Sequence, residues 1–238
     1  SETQERKFVT KFKTRNNLSL PSLGERTLML LSRLFSKLFS LFSNKHAWLA
    51  FIAGLAMTFS YAPFNLWPIA IFSLIAACYV TDKQSTRSAA KYGFAFGFGL
   101  FALGISWVHV SIAQFGGLPL PVSLLLMGLL CAYLAIYPTL AFAFAARFSQ
   151  SAWQRIALLV VGFAITEFLR GMLLTGFPWL SFGYAFTDSP LNIFAPLIGE
   201  FGLTLLAVFI ASSIYYSIKA KHVSFSLSAL VALLCLYL

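Results

Sequence analysis

The sequence predicts an all-α protein, a polytopic transmembrane helix bundle of about seven spans with a cytoplasmic N-terminus. Three observations carry that expectation. Hydrophobic residues make up 59% of the chain and charged residues only 10%, against roughly a quarter charged in soluble domains; mean hydropathy is +0.83. Apolar runs then follow one another from residue 47 to the end, several of them near the roughly 20 residues a crossing helix needs. The 17 Lys and Arg, set against 7 Asp and Glu, gather in alternate loops. In a soluble chain that excess would suggest nucleic acid, but its placement here explains it as membrane topology, and no nucleic-acid partner is expected.

Taken in order, residues 1–45 form a basic cytoplasmic arm. Just over half of the basic residues lie in it. Within Glu25 to Phe42, Arg26, Arg33 and Lys37 interrupt the apolar side chains too often for a span, and the segment suits a helix lying in the interface of an anionic leaflet. A secretory signal is disfavoured, because no short apolar core ends in a small-residue cleavage site. Residues 46–238 form the transmembrane domain, with apolar runs near 47–62, 65–81, 91–113, 120–146, 153–174, 190–218 and 223–238. The first two are short and joined tightly at Pro63 and Asn65, which suits a tilted or partly re-entrant hairpin.

Lys83, Arg87 and Lys91 follow the second run, Arg147 and Arg155 flank the turn after the fourth, and Lys219 and Lys221 follow the sixth. With the arm they account for every basic residue except Arg170. The positive-inside rule then puts the N-terminus in the cytoplasm and Leu238 at the outer face. The chain begins at Ser1, not Met, and ends inside an apolar run, as expected of a piece of a longer protein. The outer loops are uncharged or nearly so but aromatic: Tyr61, Phe64 and Trp67; His109 and Phe115; then Phe177, Trp179, Phe182, Tyr184 and Phe186. An interfacial aromatic belt explains part of this. Glycine and proline beside the rings suggest helices broken at membrane depth, which is tolerated where backbone borders protein or a cavity.

The most unusual stretch is Thr166 to Tyr184, TEFLRGMLLTGFPWLSFGY. Residues three apart are neighbours on a helix, so Glu167 and Arg170 share a face before the breaks at Gly171, Gly176 and Pro178. An ion in a span costs about 2.5–3.5 kcal/mol on insertion scales, so such a pair is a functional candidate as well as a structural ion pair. Glu200 is a further intramembrane acid, and a Glu167, Arg170 and Glu200 network is one expectation. Cys78, Cys131 and Cys235 sit singly in apolar runs without metal-ligand or disulfide spacing. Nothing resembles a nucleophile elbow, a zinc motif or a phosphate loop, so no catalytic residue, metal or cofactor is assigned.

Thr166-Glu167-Phe168-Leu169-Arg170-Gly171 with Thr175-Gly176-Phe177-Pro178-Trp179-Leu180 resembles the membrane domain of bacterial apolipoprotein N-acyltransferase. Tyr61-Ala62-Pro63-Phe64 with Trp67-Pro68, and Gly104-Ile105-Ser106-Trp107-Val108 leading to Phe115-Gly116-Gly117, agree in order and spacing. Together they cover about residues 47 to 238. The resemblance implies acyl transfer from a phospholipid, typically phosphatidylethanolamine, to the N-terminal diacylglyceryl-cysteine of lipoproteins, at the outer face of the bacterial inner membrane. It also implies a nitrilase-like domain, working through Glu, Lys and Cys, that lies beyond this chain. The expected role here is lipid binding by Phe177, Pro178, Trp179, Tyr184 and Trp107, with Glu167 and Arg170. His109 stands where the family leads one to expect an aromatic residue and takes no family role. Rival readings are a small transporter using the Glu167/Arg170 pair, a membrane-bound O-acyltransferase using His109, and a scaffold without substrate.

Overall fold

A backbone in lipid must satisfy its N–H and C=O groups within its own segment, and apolar runs punctuated by Gly, Pro and Asn meet that demand as helices. The computed structural model describes residues 44–220, and every regular element among them is helical. The basic arm before Asn44, the seventh apolar run and Cys235 lie outside the described residues.

Helix α1 (Lys45–Met57) opens on Asn44, whose side chain accepts from the His46 amide. Helix α2 (Pro68–Thr81) has Pro68 at its first position, where the missing N–H is no loss. Ser85 caps α3 (Thr86–Gly104). Helix α4 (Val108–Gly116) follows a short bend, and α5 (Leu120–Phe148) starts after Pro119. Ser151 and Gln154 form a capping box on α6 (Ala152–Met172). Single 3-10 turns at Leu173–Thr175, Phe182–Phe186 and Pro190–Phe194 lead into α7 (Ala195–Ala220).

Six of the seven expected runs fall among the described residues. Three helical stretches, Leu120–Phe148, Ala152–Thr175 and Pro190–Ala220, are long and apolar enough to cross a membrane, or four if α3 and α4 count together. Those two are bent by 55°, so the run expected at 91–113 is a broken one, with Trp107 at the break. Helices α1 and α2 have 13 and 14 residues, short of a full crossing, because a 3-10 turn at Thr58–Ser60 and the loop from Tyr61 to Trp67 lie between them. They pack against each other as the expected hairpin.

Helix α3 is the centre, packed against α1 and α5. Lipid gives helices no hydrophobic drive to associate, so close backbone approach matters, and glycine permits it. A Cβ on Gly54 would lie 2.0 Å from the Phe96 carbonyl oxygen, and one on Gly99 would lie 2.3 Å from that of Phe51. Gly93 and Gly97, four apart, admit α5 around Pro138 in the same way. Gly54→Ala is therefore expected to force α1 off α3 and destabilise the fold by about 1–3 kcal/mol, read as a lowered unfolding midpoint in detergent.

Four rings, Phe96, Phe142, Phe163 and Phe182, close a cluster with centroids 5.3 to 6.2 Å apart, joining α3, α5, α6 and the loop after α6. At one end of the bundle the basic loops meet. Arg155 donates to the Thr81 carbonyl at 2.7 Å, and Asp82 pairs with Lys219 and accepts from Tyr215 and Tyr216. The loops that the sequence groups by charge thus share one end.

Candidate functional site

The opposite end is built around the loop between α6 and α7. Glu167 and Arg170, 8% and 3% exposed, sit in the last turns of α6. Arg170 Nη2 donates to Glu167 Oε2 at 2.6 Å and Nε to Oε1 at 3.1 Å, a fork on a carboxylate. Arg170 Nη1 donates to the carbonyls of Phe177 and, at 3.0 Å, of Trp179. The Arg170 carbonyl in turn accepts from the Phe177 amide at 2.9 Å. The guanidinium also lies over the Phe101 ring, 6.0 Å from its centroid.

Leu174, Thr175 and Leu180 take positive φ (52°, 72° and 58°). Side chains rarely adopt that region, so surrounding contacts must hold the loop in place. Those contacts are present residue by residue. Tyr61, itself buried, donates through its hydroxyl to the Leu180 carbonyl at 3.2 Å. Ser181 Oγ donates to Glu200, and the Gly183 amide donates to Thr204 Oγ1 at 2.7 Å. A Cβ on Gly183 would come within 1.9 Å of the Glu200 carbonyl oxygen, so this backbone approach also needs glycine. Phe182, 2% exposed, plugs the four-ring cluster.

Held this way, the loop turns particular side chains outward. Trp179 is 57% exposed, its ring 5.1 Å from that of half-buried Phe177, and Pro178 and Tyr184 are exposed on the same loop. Leu180 packs where a Cβ on Gly104 would have to go, three residues before Trp107, which stands exposed at the α3–α4 break. Glu167, Arg170, Phe177 and Trp179 thus form one connected group, Tyr184 follows on the same loop, and Trp107 belongs to the neighbouring element.

Two expectations are corrected. Glu200 is engaged with Ser181 and Arg170 with Glu167 and two carbonyls, so the three ions do not pair as one network; the loop lies between them. Phe182 and Phe186, read from the sequence as outer-loop aromatics, are core residues. His109 Nδ1 meets the Ser106 carbonyl of its own turn. Sequence reasoning passed over Ser181 and Thr204 as loop anchors. The spacing of Glu200 and Thr204, four apart on one helix face, was the available signal.

Chemically, the arrangement holds an aromatic surface rigid. The Ser181 hydroxyl touches a carboxylate, but at 3% exposure it fastens the loop and meets no substrate.

Residues 53–213, which contain this entire loop and its anchors, match the apolipoprotein N-acyltransferase N-terminal domain. The chain belongs to the apolipoprotein N-acyltransferase family. It is 41% identical to the apolipoprotein N-acyltransferase of Shewanella oneidensis over 74% of this chain and 35% of the relative. For that of Haemophilus influenzae the figures are 40%, 77% and 35%, and for that of Vibrio cholerae 43%, 73% and 35%. The chain spans about a third of the length of these relatives. A family named for acyl transfer leaves the transporter reading without support. Arg170 agrees, because four of its five N–H donors are spent on a carboxylate and two carbonyls, and the side chain is only 3% exposed.

Proposed function

We propose that this chain is the membrane part of an apolipoprotein N-acyltransferase, which passes an acyl chain from a phospholipid of the phosphatidylethanolamine type to the N-terminal diacylglyceryl-cysteine of bacterial lipoproteins. Its work is to receive and orient lipid, and the bond-making groups belong to the nitrilase-like part of the family protein. In this reading residues 1–45 are a basic cytoplasmic arm, and residues 46–238 cross the inner membrane in about seven spans. The loop of Phe177 to Tyr184 then faces the periplasm.

The observation that carries the reading is the clamp of Arg170 on the Phe177 and Trp179 carbonyls, which leaves Pro178 and Trp179 facing outward on a backbone that cannot swing. Rings fixed at headgroup depth pack against an acyl chain or a glycerol ester and set its angle, and orientation is worth most when it is in place before the lipid arrives. Glu167 and Arg170 are positioning residues in this scheme, acting through the loop, while Phe177, Pro178, Trp179, Tyr184 and Trp107 touch lipid.

Trp179→Ala in the full-length protein is expected to lower acyl transfer from a fluorescent phosphatidylethanolamine to a diacylglyceryl-cysteine peptide by about ten-fold, with the unfolding midpoint unchanged. Turnover at the parental rate would remove Trp179 from the lipid site.

A further inference from the structure

At the end of the bundle away from the aromatic loop lies a cleft of about 470 Å³, between the α2–α3 turn, the α5–α6 turn and the end of α7. Its wall carries Arg155, Lys83 and Lys219 against one carboxylate, Asp82. That carboxylate is engaged: Tyr215 and Tyr216 donate to it at 3.2 Å each, and Lys219 pairs with it. Two cations are left without a counter-charge among the described residues.

Arg155 is the telling one. It is 6% exposed, and its partners are neutral groups, the Thr81 carbonyl at 2.7 Å, the Ser149 hydroxyl at 3.4 Å and the nearby Tyr216 hydroxyl. Its Nε has no partner among the described residues. Burying a guanidinium without an anion is costly unless one arrives from outside. Lys83 extends from the α2–α3 turn, where its backbone takes φ 53°, with its side chain exposed. The start of α6, 21 residues long, opens into the same wall at Ser151 and adds the positive end of its dipole. Exposed Phe148 and Trp153 flank the turn that forms the floor, as rings do at headgroup level.

We propose that this cleft binds a phosphate-bearing anion, seated on the Arg155 fork and neutralised further by Lys83, its source either the headgroup of an anionic phospholipid in the adjoining leaflet or a phosphorylated solute. A planar fork with a point charge beside it matches the oxygens of a phosphate, and the excess of cations in the wall favours a headgroup without a cation of its own over a zwitterionic one. The site is separate from the aromatic loop and does not depend on the role proposed there.

The test is native mass spectrometry on the purified full-length protein, titrated with phosphatidylglycerol and with phosphatidylcholine of the same chain length, for the parent, Lys83→Ala and Arg155→Lys. The expected result is preferential retention of phosphatidylglycerol, lowered about five-fold by Lys83→Ala and at least as much by Arg155→Lys, which keeps the charge and loses the fork. Should Arg155→Lys fail to fold, Lys83→Ala decides alone, because its side chain makes no hydrogen bond among those described. Glycerol phosphate added as competitor separates the sources: displacement of the lipid assigns the site to the free phosphate ester, and undisturbed retention assigns it to the headgroup. Equal retention of both lipids, or phosphatidylglycerol binding unaltered by Lys83→Ala, overturns the proposal.

Discussion

Glu167→Ala is expected to destabilise the protein by about 3–5 kcal/mol, because removing one partner of a buried ion pair strands the other. Arg170 would keep its two carbonyl contacts but lose both hydrogen bonds to a carboxylate at a site only 3% exposed. Glu167→Gln should cost less, since an amide oxygen still accepts one of the two. The informative variant is Glu167→Ala with Arg170→Met. Replacing a whole buried pair by apolar groups is often close to neutral, so its unfolding midpoint should recover most of the loss. Its acyl transfer in the full-length protein should not recover, because the carbonyls of Phe177 and Trp179 no longer have a donor. Detergent unfolding and turnover measured side by side separate the two roles. A Glu167→Ala protein as stable as the parent would mean that the pair is solvated and clamps nothing.

Phe182→Ala is the second large effect expected. In water-soluble cores Phe→Ala costs about 3–5 kcal/mol, and the lower end, about 3 kcal/mol, applies here because part of the transfer gain is absent when the surroundings are lipid. The ring fills the space between Phe96 and Phe163 at centroid distances of 6.2 and 5.3 Å, and its loss leaves a cavity that α3 and α6 cannot both close. The change should also loosen the flanking loop, so turnover should fall further than Trp179→Ala alone produces. Phe182→Leu, which keeps most of the volume, should restore the larger part of both. If Phe182→Ala lowers turnover while the unfolding midpoint stays put, the ring belongs to the lipid site and not to the core.

Much of the architecture was legible because lipid makes few demands and makes them everywhere. Apolar length and the breaks at glycine and proline gave α5, α6 and α7 to within a few residues. The run at 91–113 misled, since composition does not register a bend: one serine, Ser106, in an otherwise apolar stretch is no break signal, yet the helix turns by 55° there, beside the contact of Gly104 with Leu180. Around the candidate site, the i,i+3 spacing of Glu167 and Arg170 was visible, and so was the aromatic turn after them. That the two are one object was not, because the link runs through backbone carbonyls, which carry no sequence signal. Phe182 and Trp179, three residues apart in an outer loop, look alike as letters. Only the contacts of their neighbours send one ring into the core and the other outward.

The sequence by itself determined that this protein is helical and apolar, which residues are charged within its runs, and that its basic loops gather at one end, since each of these follows from local composition and the energetics of lipid. The tertiary structure alone decided that Arg170 spends its donors on the loop and that Glu200 holds Ser181 from the far side. It decided equally that Arg155 lies buried in a cleft with Lys83. The hydrogen bonds concerned, Arg170 to Phe177, Ser181 to Glu200 and Arg155 to Thr81, join residues between 7 and 74 positions apart, and a hydrogen bond between distant segments exists only once packing has brought them within reach.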